Sequence, residues 1–313
     1  MTQKNKNIIL AMAVVLLLAS AVLISRTGRN ARRQDFDDRK FTVTDTASVD
    51  KVVMKGKSLS NMIERVDGQW MVNRRYPLDP SMNKVLMAVL NDVRIHRSAP
   101  RKLIPEIRES LQDNGIRVMI YAKGNLVQSF SAGGNNISVS YFMGSDGEPY
   151  LVYLPGYDSY VSGIFEVSEN DWRDRLVFTT TWSGLKSLTL DYPGNKKESF
   201  KITSGKELPV IEGMPSTDTA RVMDYLALYQ MFAVDQYLDS GRVARYDSVC
   251  STPPRIVLTL DAVNLNKPLT IKFFRRIPRD PFIAGEIGKN QRVLFSYERI
   301  KEIFKTCSYF LKP

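Results

Sequence analysis

The chain has 313 residues, of which 43% are hydrophobic, 25% charged and 10% aromatic, and its formal net charge is +11. This composition excludes collagen-like, coiled-coil and wholly disordered chains, and the length predicts two domains. One His and two Cys argue against histidine-based catalysis and a disulfide scaffold, and the mixed charge signs of the body argue against a nucleic-acid partner.

The N-terminal region predicts a membrane anchor. Residues 1–7 form a short tail, and residues 8–25 are uncharged and almost entirely apolar. A helix of that length, about 27 Å, is close to the thickness of the hydrocarbon layer. The alternative is a cleaved signal peptide, because Ala19-Ser20-Ala21 has the small-x-small form. The apolar run continues beyond that site, which favours an uncleaved single span.

A basic, polar linker over residues 26–40 follows the span. Its arginines allow two interpretations. By the positive-inside rule they place the body in the cytoplasm, whereas long domains translocate regardless of flanking charge. In the second case the side chains contact anionic lipid headgroups. We expect the second, with the body on the periplasmic side of a bacterial cytoplasmic membrane. The four candidate headgroup contacts are Arg26, Arg29, Arg32 and Arg33.

The first predicted α+β unit covers residues 41–177. Alternating strands around residues 49–54 and 62–66 lead into Asp67-Gly68, a strong hairpin turn, and a returning strand follows at residues 70–72. Asp79-Pro80 then predicts the start of a helix. Helical spacing indicates one buried face made of Met82, Val85, Leu86, Val89, Leu90 and Val93.

The second predicted unit, residues 178–313, repeats this order. Strands are predicted at residues 185–190 and 199–202, and the segment Ser216-Thr217-Asp218 caps a helix. Phe41 matches Phe178, and Lys84-Val85 matches Arg221-Val222, at a common offset of 137 residues. The predicted fold class is therefore α+β: two similar lobes from an internal duplication, each a mostly antiparallel sheet with one main packed helix, behind an N-terminal transmembrane helix.

Tyrosines are frequent between residues 133 and 165, a segment also rich in Gly, Asn and Ser. One interpretation is an exposed aromatic interaction surface. The other is that these are strand residues with buried rings and solvated hydroxyls. The candidates are Tyr150, Tyr153, Tyr157 and Tyr160.

Several short motifs carry a family resemblance. They are Phe41-x-Val43-x-Asp45, Val49-Asp50-Lys51-Val52, Asp67-Gly68-x-Trp70-x-Val72-Asn73 and Asn170-Asp171-Trp172-Arg173-Asp174-Arg175-x-Val177-Phe178. With the N-terminal span they resemble the bacterial domain-of-unknown-function family DUF4340, over nearly everything after residue 40. The resemblance implies a membrane-anchored, extracytoplasmic protein of unknown activity, in a family sometimes associated with ABC-type export or gliding machinery. It supplies no catalytic residues, and the second copy departs from it with Leu208-Pro209-Val210 in place of the Trp.

Residues for catalysis or cofactor binding are scarce in this sequence. His96 is the only histidine and is predicted to end the first helix, where a cation is favourable. No nucleophile elbow, phosphate-binding loop or dinucleotide fingerprint occurs, so we expect no cofactor and no metal. The charged residues around Trp172 predict mutual ion pairs where the two units meet; they are Asp171, Arg173, Asp174 and Arg175.

The two cysteines, Cys250 and Cys307, both fall in the second unit. In an oxidising compartment they could form a disulfide. The spacing of Cys307 from Ile300 and Phe304 equally suits a buried thiol.

These observations predict a non-enzymatic, membrane-anchored interaction or assembly module with protein partners in the cell envelope. The alternative is a carboxylate-dependent hydrolase of a cell-envelope polymer, with residues 133–165 lining its cleft.

Overall fold

The computed structural model describes residues 37–135, 138–204, 208–214, 216–239, 243–288 and 290–312. In these residues no helix has the length and apolar character needed to cross a bilayer. The predicted anchor at residues 8–25 and the linker arginines Arg26, Arg29, Arg32 and Arg33 lie outside the described residues. The last predicted linker residues, 37–40, turn onto the first lobe, where the carbonyl of Asp38 accepts the Ile95 N–H at 2.8 Å.

The chain forms an α+β fold of mostly antiparallel sheets with few helices. The first lobe has one nine-stranded sheet in the order β4-β3-β2-β1-β6-β7-β8-β9-β5. Its strands are β1 (Val49–Lys55), β2 (Ser60–Val66), β3 (Gln69–Val72), β4 (Tyr76–Pro77), β5 (Arg94–Ser98), β6 (Ile116–Ala122), β7 (Asn125–Gly134), β8 (Ser140–Met143) and β9 (Pro149–Tyr153). Its helices are α1 (Pro80–Asp92), α2 (Ile104–Asp113), α3 (Gly163–Glu166) and α4 (Glu169–Trp172).

The second lobe has an eight-stranded sheet in the order β13-β12-β11-β16-β17-β18-β19-β15, and a separate pair, β10-β14. Its strands are β10 (Leu176–Thr179), β11 (Leu185–Asp191), β12 (Phe200–Thr203), β13 (Val210–Ile211), β14 (Met231–Ala233), β15 (Gln236–Tyr237), β16 (Ile256–Ala262), β17 (Leu269–Phe273), β18 (Phe282–Ile287) and β19 (Gln291–Ser296). Its helices are α5 (Thr219–Ala227), α6 (Ala244–Cys250) and α7 (Tyr297–Ile300).

The two large sheets have the same order of corresponding strands. From edge to edge, β3, β2, β1, β6, β7, β8, β9 and β5 correspond to β13, β12, β11, β16, β17, β18, β19 and β15, and only β4 is additional. An irregularity also recurs, since the register shifts between Val49 and Lys51 opposite β6 and between Leu185 and Ser187 opposite β16. The lobes therefore share one topology down to the position of a bulge.

The main helices also correspond, but not at the predicted offset. Asp79 caps α1 and Asp218 caps α5, and each carboxylate accepts two backbone N–H groups of its first turn. These caps are 139 residues apart, two more than the predicted 137. The match of Val85 with Val222 was therefore wrong: Val85 is 48% exposed and Val222 fully buried.

Each lobe ends in a segment that returns to the start of its main helix. The carbonyl of Trp172 accepts the Asp79 N–H at 2.9 Å, and the carbonyl of Phe310 accepts the Asp218 N–H at 2.8 Å. Both aromatic side chains are completely buried. The first lobe closes here, so that β10 already pairs with β14 of the second lobe. The change of lobe thus falls just before the predicted boundary between residues 177 and 178.

The single histidine lies in a strand and not at a helix end, so that prediction was wrong. Helix α1 ends at Asp92 because the backbone of Val93 is extended. His96 follows in β5, at an irregularity of the ladder with β9 between Ile95 and Arg97. Its ring meets Tyr153 edge-on, with centroids 5.8 Å apart.

Candidate functional site

Arg173 is the central residue of the junction between the lobes. It directly follows α4, a one-turn helix that Ser168 and Asp171 close with a reciprocal capping box. A β-bridge between Leu78 and Arg173 ties its backbone to the first lobe. Local hydrogen bonds therefore fix the position from which the guanidinium reaches the second lobe.

Two tyrosine rings, one from each lobe, enclose this guanidinium. Its central carbon lies 3.6 Å from the ring centroid of Tyr76 and 3.6 Å from that of Tyr237. The Tyr237 hydroxyl donates to the carbonyl of Asp174 at 2.8 Å, which orients the ring. Arg173 is only 7% exposed, so both cation–π contacts are largely desolvated. This burial lowers the pKa of Arg173.

A polar cleft of about 430 Å³ opens beside this sandwich. Two carboxylates reach it, and both have amide partners: Glu169 accepts from Asn73 Nδ2 and Asp239 from Asn170 Nδ2, each at 2.8 Å. The cleft therefore combines fixed polar groups from both lobes. Its lining residues are Arg75, Tyr76, Glu169, Asn170, Arg173, Leu238, Asp239, Asn290, Gln291 and Arg292.

The ion pairs predicted within the charged cluster around Trp172 do not form. None of the ion pairs found in the described part of the chain joins two of Asp171, Arg173, Asp174 and Arg175. Asp171 caps α4, and Asp174 Oδ1 accepts the Leu176 N–H at 2.9 Å. Backbone N–H groups, and not the neighbouring arginines, thus bind both carboxylates.

A second concave region, which we call the lobe 2 groove, lies where β10 meets β14. It has a volume of about 630 Å³. Two apolar side chains in it face solvent, Met231 at 74% and Val263 at 72% exposure. Trp182, 45% exposed, begins the 3-10 turn that ends at Gly184. The groove is lined by Thr179, Thr180, Thr181, Gly184, Gln230, Met231, Val263 and Asn264.

The first lobe has a smaller counterpart, which we call the lobe 1 groove, with a volume of about 220 Å³. The backbone bonds Val43 N–H to Leu90 O and Thr180 N–H to Gln230 O are equivalent, so Asn91 and Met231 occupy matching positions. Val263 follows β16 as Lys123 follows β6. Polar side chains thus stand in the first lobe where the second exposes apolar ones. The lobe 1 groove is lined by Thr42, Val43, Thr44, Asp45, Ser48, Ala122 and Val127.

The four candidate tyrosines lie in different environments. Tyr150 packs edge-on against Phe41 in the core and donates to Asp146 Oδ2 at 2.9 Å. Tyr160 donates to Glu166 at 2.5 Å. Tyr153 and Tyr157 are exposed, at 43% and 69%. Because Tyr150 and Tyr153 are three residues apart on one strand, their side chains leave opposite faces of the sheet.

Both cysteines are free thiols in the structure. Cys307 packs against the main core cluster of the second lobe and donates to the carbonyl of Lys197 at 3.0 Å. Cys250 packs against a separate small cluster that contains Tyr246 and Phe274. Burial raises the pKa of the Cys250 thiol, which disfavours its reactive thiolate. The two side chains thus belong to different packing environments.

The alternative hydrolase would need paired carboxylates in a cleft lined by residues 133–165. The cavity that touches residues 143–147 has a single acidic lining residue, Asp113. No group of three or more His, Cys, Asp or Glu suited to a metal ion occurs in the residues that the structure describes. Acidic residues do meet at the lobe junction, but Glu166, Glu169 and Asp171 there accept hydrogen bonds that fix the fold.

Sequence reasoning missed Tyr76, Tyr237 and the lobe 2 groove. Met231 and Val263 lie 140 residues after Asn91 and Lys123, so the predicted offset of 137 did not align them. No protein-family model matches the chain, and neither a curated protein nor a solved structure is significantly similar to it.

Proposed function

We propose that this protein is a membrane-anchored, extracytoplasmic interaction or assembly module, accessory to an envelope complex of the ABC-export or gliding type. The lobe 2 groove carries this proposal. Exposed apolar side chains flanking a concave surface are typical of protein-binding sites. Met231 and Val263 have polar equivalents in the other lobe, so the shared fold does not require apolar residues at these positions.

The proposal includes an origin by internal duplication and membership of the DUF4340-like proteins. Equal strand order, a recurring bulge and equivalent helix caps support the duplication. At two matching positions the first lobe has Asn91 and Lys123 and the second has Met231 and Val263, a divergence that this origin accounts for. We expect the occupant of the lobe 2 groove to be an apolar side chain or short segment of an envelope protein.

Site-specific photo-cross-linking in intact cells tests the partner. A benzophenone amino acid replaces Met231 in the full chain, and the matched control carries it at Asn91 of the other lobe. We expect a discrete cross-linked protein at position 231 and none at 91, and Val263→Lys should abolish the adduct. Equal products at both positions, or no product at either, would contradict the proposal.

Sidedness is tested separately with an impermeant thiol reagent. In a Cys250→Ser/Cys307→Ser background, a single cysteine is introduced at the exposed position Tyr157. We expect labelling of spheroplasts without lysis. Labelling only after lysis would place the body in the cytoplasm and contradict the extracytoplasmic location.

A further inference from the structure

Among the residues that the structure describes, the buried guanidinium of Arg173 has no carboxylate within ion-pair distance, although the charge of Glu169 acts on it from nearby. Its Nη1 donates to Asn170 Oδ1 at 3.0 Å, and its Nε is buried without a hydrogen-bond partner in the described residues. The hydrogen bond to the neutral Asn170 amide is not an ion pair, and the Nε–H group has no acceptor among the described residues. A buried charge is usually compensated by an opposite charge, because its desolvation is unfavourable. The tyrosine faces reduce this penalty, yet they leave the Nε–H donor without an acceptor among the described residues.

The lining of the cleft carries three arginines, Arg75, Arg173 and Arg292, against two carboxylates, Glu169 and Asp239. Glu169 and Asp239 each accept a hydrogen bond from an asparagine. Arg75 stacks on Tyr76, with its central carbon 5.1 Å from the ring centroid, and adds a second cation to the lining. Arg292 pairs with Asp247, outside the lining residues. The cleft thus offers positive charge and side-chain amides to an incoming molecule.

We propose that the cleft between the lobes is a binding site for an oxyanion, the carboxylate or phosphate group of a small polar molecule, with Arg173 as its principal ligand. The planar guanidinium matches two oxygens of such a group. Asn290 and Gln291 supply amides for hydroxyl groups on the rest of the molecule. The site draws on both lobes, so its occupation holds them together. It is independent of the lobe 2 groove and of the proposed partner.

Isothermal titration of the full chain in detergent tests the site. The probes are D-glucuronate, D-glucose 1-phosphate and, as the neutral control, D-glucose. We expect saturable binding of one or both charged probes, with glucose at least tenfold weaker. The charged probe that binds identifies carboxylate or phosphate as the preferred group. No binding of either, or equal binding of glucose, would overturn the proposal.

Two substitutions locate the site. Arg173→Met removes the charge and should weaken binding at least tenfold. Because this variant could also disturb the lobe junction, Asn170→Asp provides a second test. It places a carboxylate against Arg173 Nη1 and should abolish probe binding; because it also replaces the amide donor to Asp239 by a second carboxylate, the melting temperature should not rise. The exposed control Asn125→Asp, with the same change of charge, should bind like the wild type. Unchanged binding in Asn170→Asp would overturn the assignment of Arg173.

Discussion

The two lobes place the same framework around different chemistry. In the first, Phe130 and Phe142 stack with centroids 4.5 Å apart, and Phe41 and Phe165 meet them edge-on. The second lobe buries a pair of tyrosine hydroxyls. The Tyr225 and Tyr229 hydroxyls lie 2.7 Å apart, and Tyr225 also donates to the carbonyl of Ile303 at 2.8 Å. The same strand order therefore tolerates a core centred on packed phenylalanine rings and a core centred on hydrogen-bonded tyrosines.

The closing segments differ in a way that bears on function. Trp172 and Phe310 occupy equivalent buried positions, but the next residue is Arg173 in the first lobe and Leu311 in the second. The Arg173 side chain is buried between the lobes and 7% exposed, whereas the Leu311 side chain is 48% exposed. Positions that build the framework are thus shared, and positions that face the junction or the grooves have diverged.

Truncating the two equivalent buried side chains, Trp172 and Phe310, should produce the largest loss of stability. Trp172→Ala and Phe310→Ala each empty a fully buried site and should lower the free energy of unfolding by about 3–5 kcal/mol. Denaturant titration of both variants measures this. Trp182→Ala, 45% exposed, serves as the control and should change it by about 1 kcal/mol or less. A large loss of unfolding free energy in only one of these two variants would show that the closing segments of the two lobes are not equivalent.

Arg173→Ala should uncouple the lobes. It removes two cation–π contacts, of which the one with Tyr237 crosses the junction, at about 1 kcal/mol each, so we expect a net destabilisation of about 2 kcal/mol. Thermal unfolding should then split into two transitions, while Leu311→Ala keeps the wild-type profile. Coincident transitions in Arg173→Ala would indicate that other contacts join the lobes.

Alkaline pH should destabilise the second lobe selectively. Burial raises the pKa of Tyr192 to about 12, and raises the pKa values of Tyr225 and Tyr229 as well. Because an unfolded tyrosine ionises near pH 10, these groups contribute fully below pH 10 and their contribution falls as the pH approaches 12. From Tyr192 alone we expect a loss of about 2 kcal/mol between those values.

Fluorescence of Trp182, in the second lobe, follows this loss, and Trp70 and Trp172 report on the first. A Tyr192→Phe variant loses the hydrogen bond from the hydroxyl to the Lys305 carbonyl, so its free energy of unfolding at pH 9 should be lower than that of the wild type. Its free energy of unfolding should, however, fall less between pH 10 and pH 12. Equal alkaline sensitivity of wild type and variant would exclude Tyr192 as the titrating group.

The helix caps should give smaller and matching effects. Asp79→Ala and Asp218→Ala each leave two first-turn N–H groups without their acceptor, at a cost of about 1 kcal/mol. The exposed Asp224→Ala in α5 is the control and should stay within about 0.5 kcal/mol. A difference above about 1 kcal/mol between the caps would show that the two helices are not equally supported.

The cysteines should give the smallest effect. Both thiols are free, so thiol counting in denaturant should find two per chain, and a reducing agent should leave the melting temperature unchanged. Fewer than two free thiols per chain would support a disulfide between Cys250 and Cys307.

The sequence alone predicted the features that adjacent residues create. Asp67-Gly68 forms the expected turn with positive φ at both residues, 49° and 83°. Asp79 and Asp218 begin their helices as predicted, because the N–H groups that they accept lie two and three residues away. Strand alternation likewise reports on burial of one face, so β1, β2 and β3 were found at their places.

Tertiary structure alone decided which distant side chains meet. Nothing in the sequence near Arg173 indicates Tyr76 and Tyr237, because they reach it through sheet edges in different lobes. Tertiary contacts also place the ring of Tyr150 against the core. His96 lies in a strand, at a one-residue irregularity of its pairing with the neighbouring strand. Residue spacing determines hydrogen bonds between near neighbours in the chain, whereas contacts between secondary-structure elements depend on how whole sheets pack.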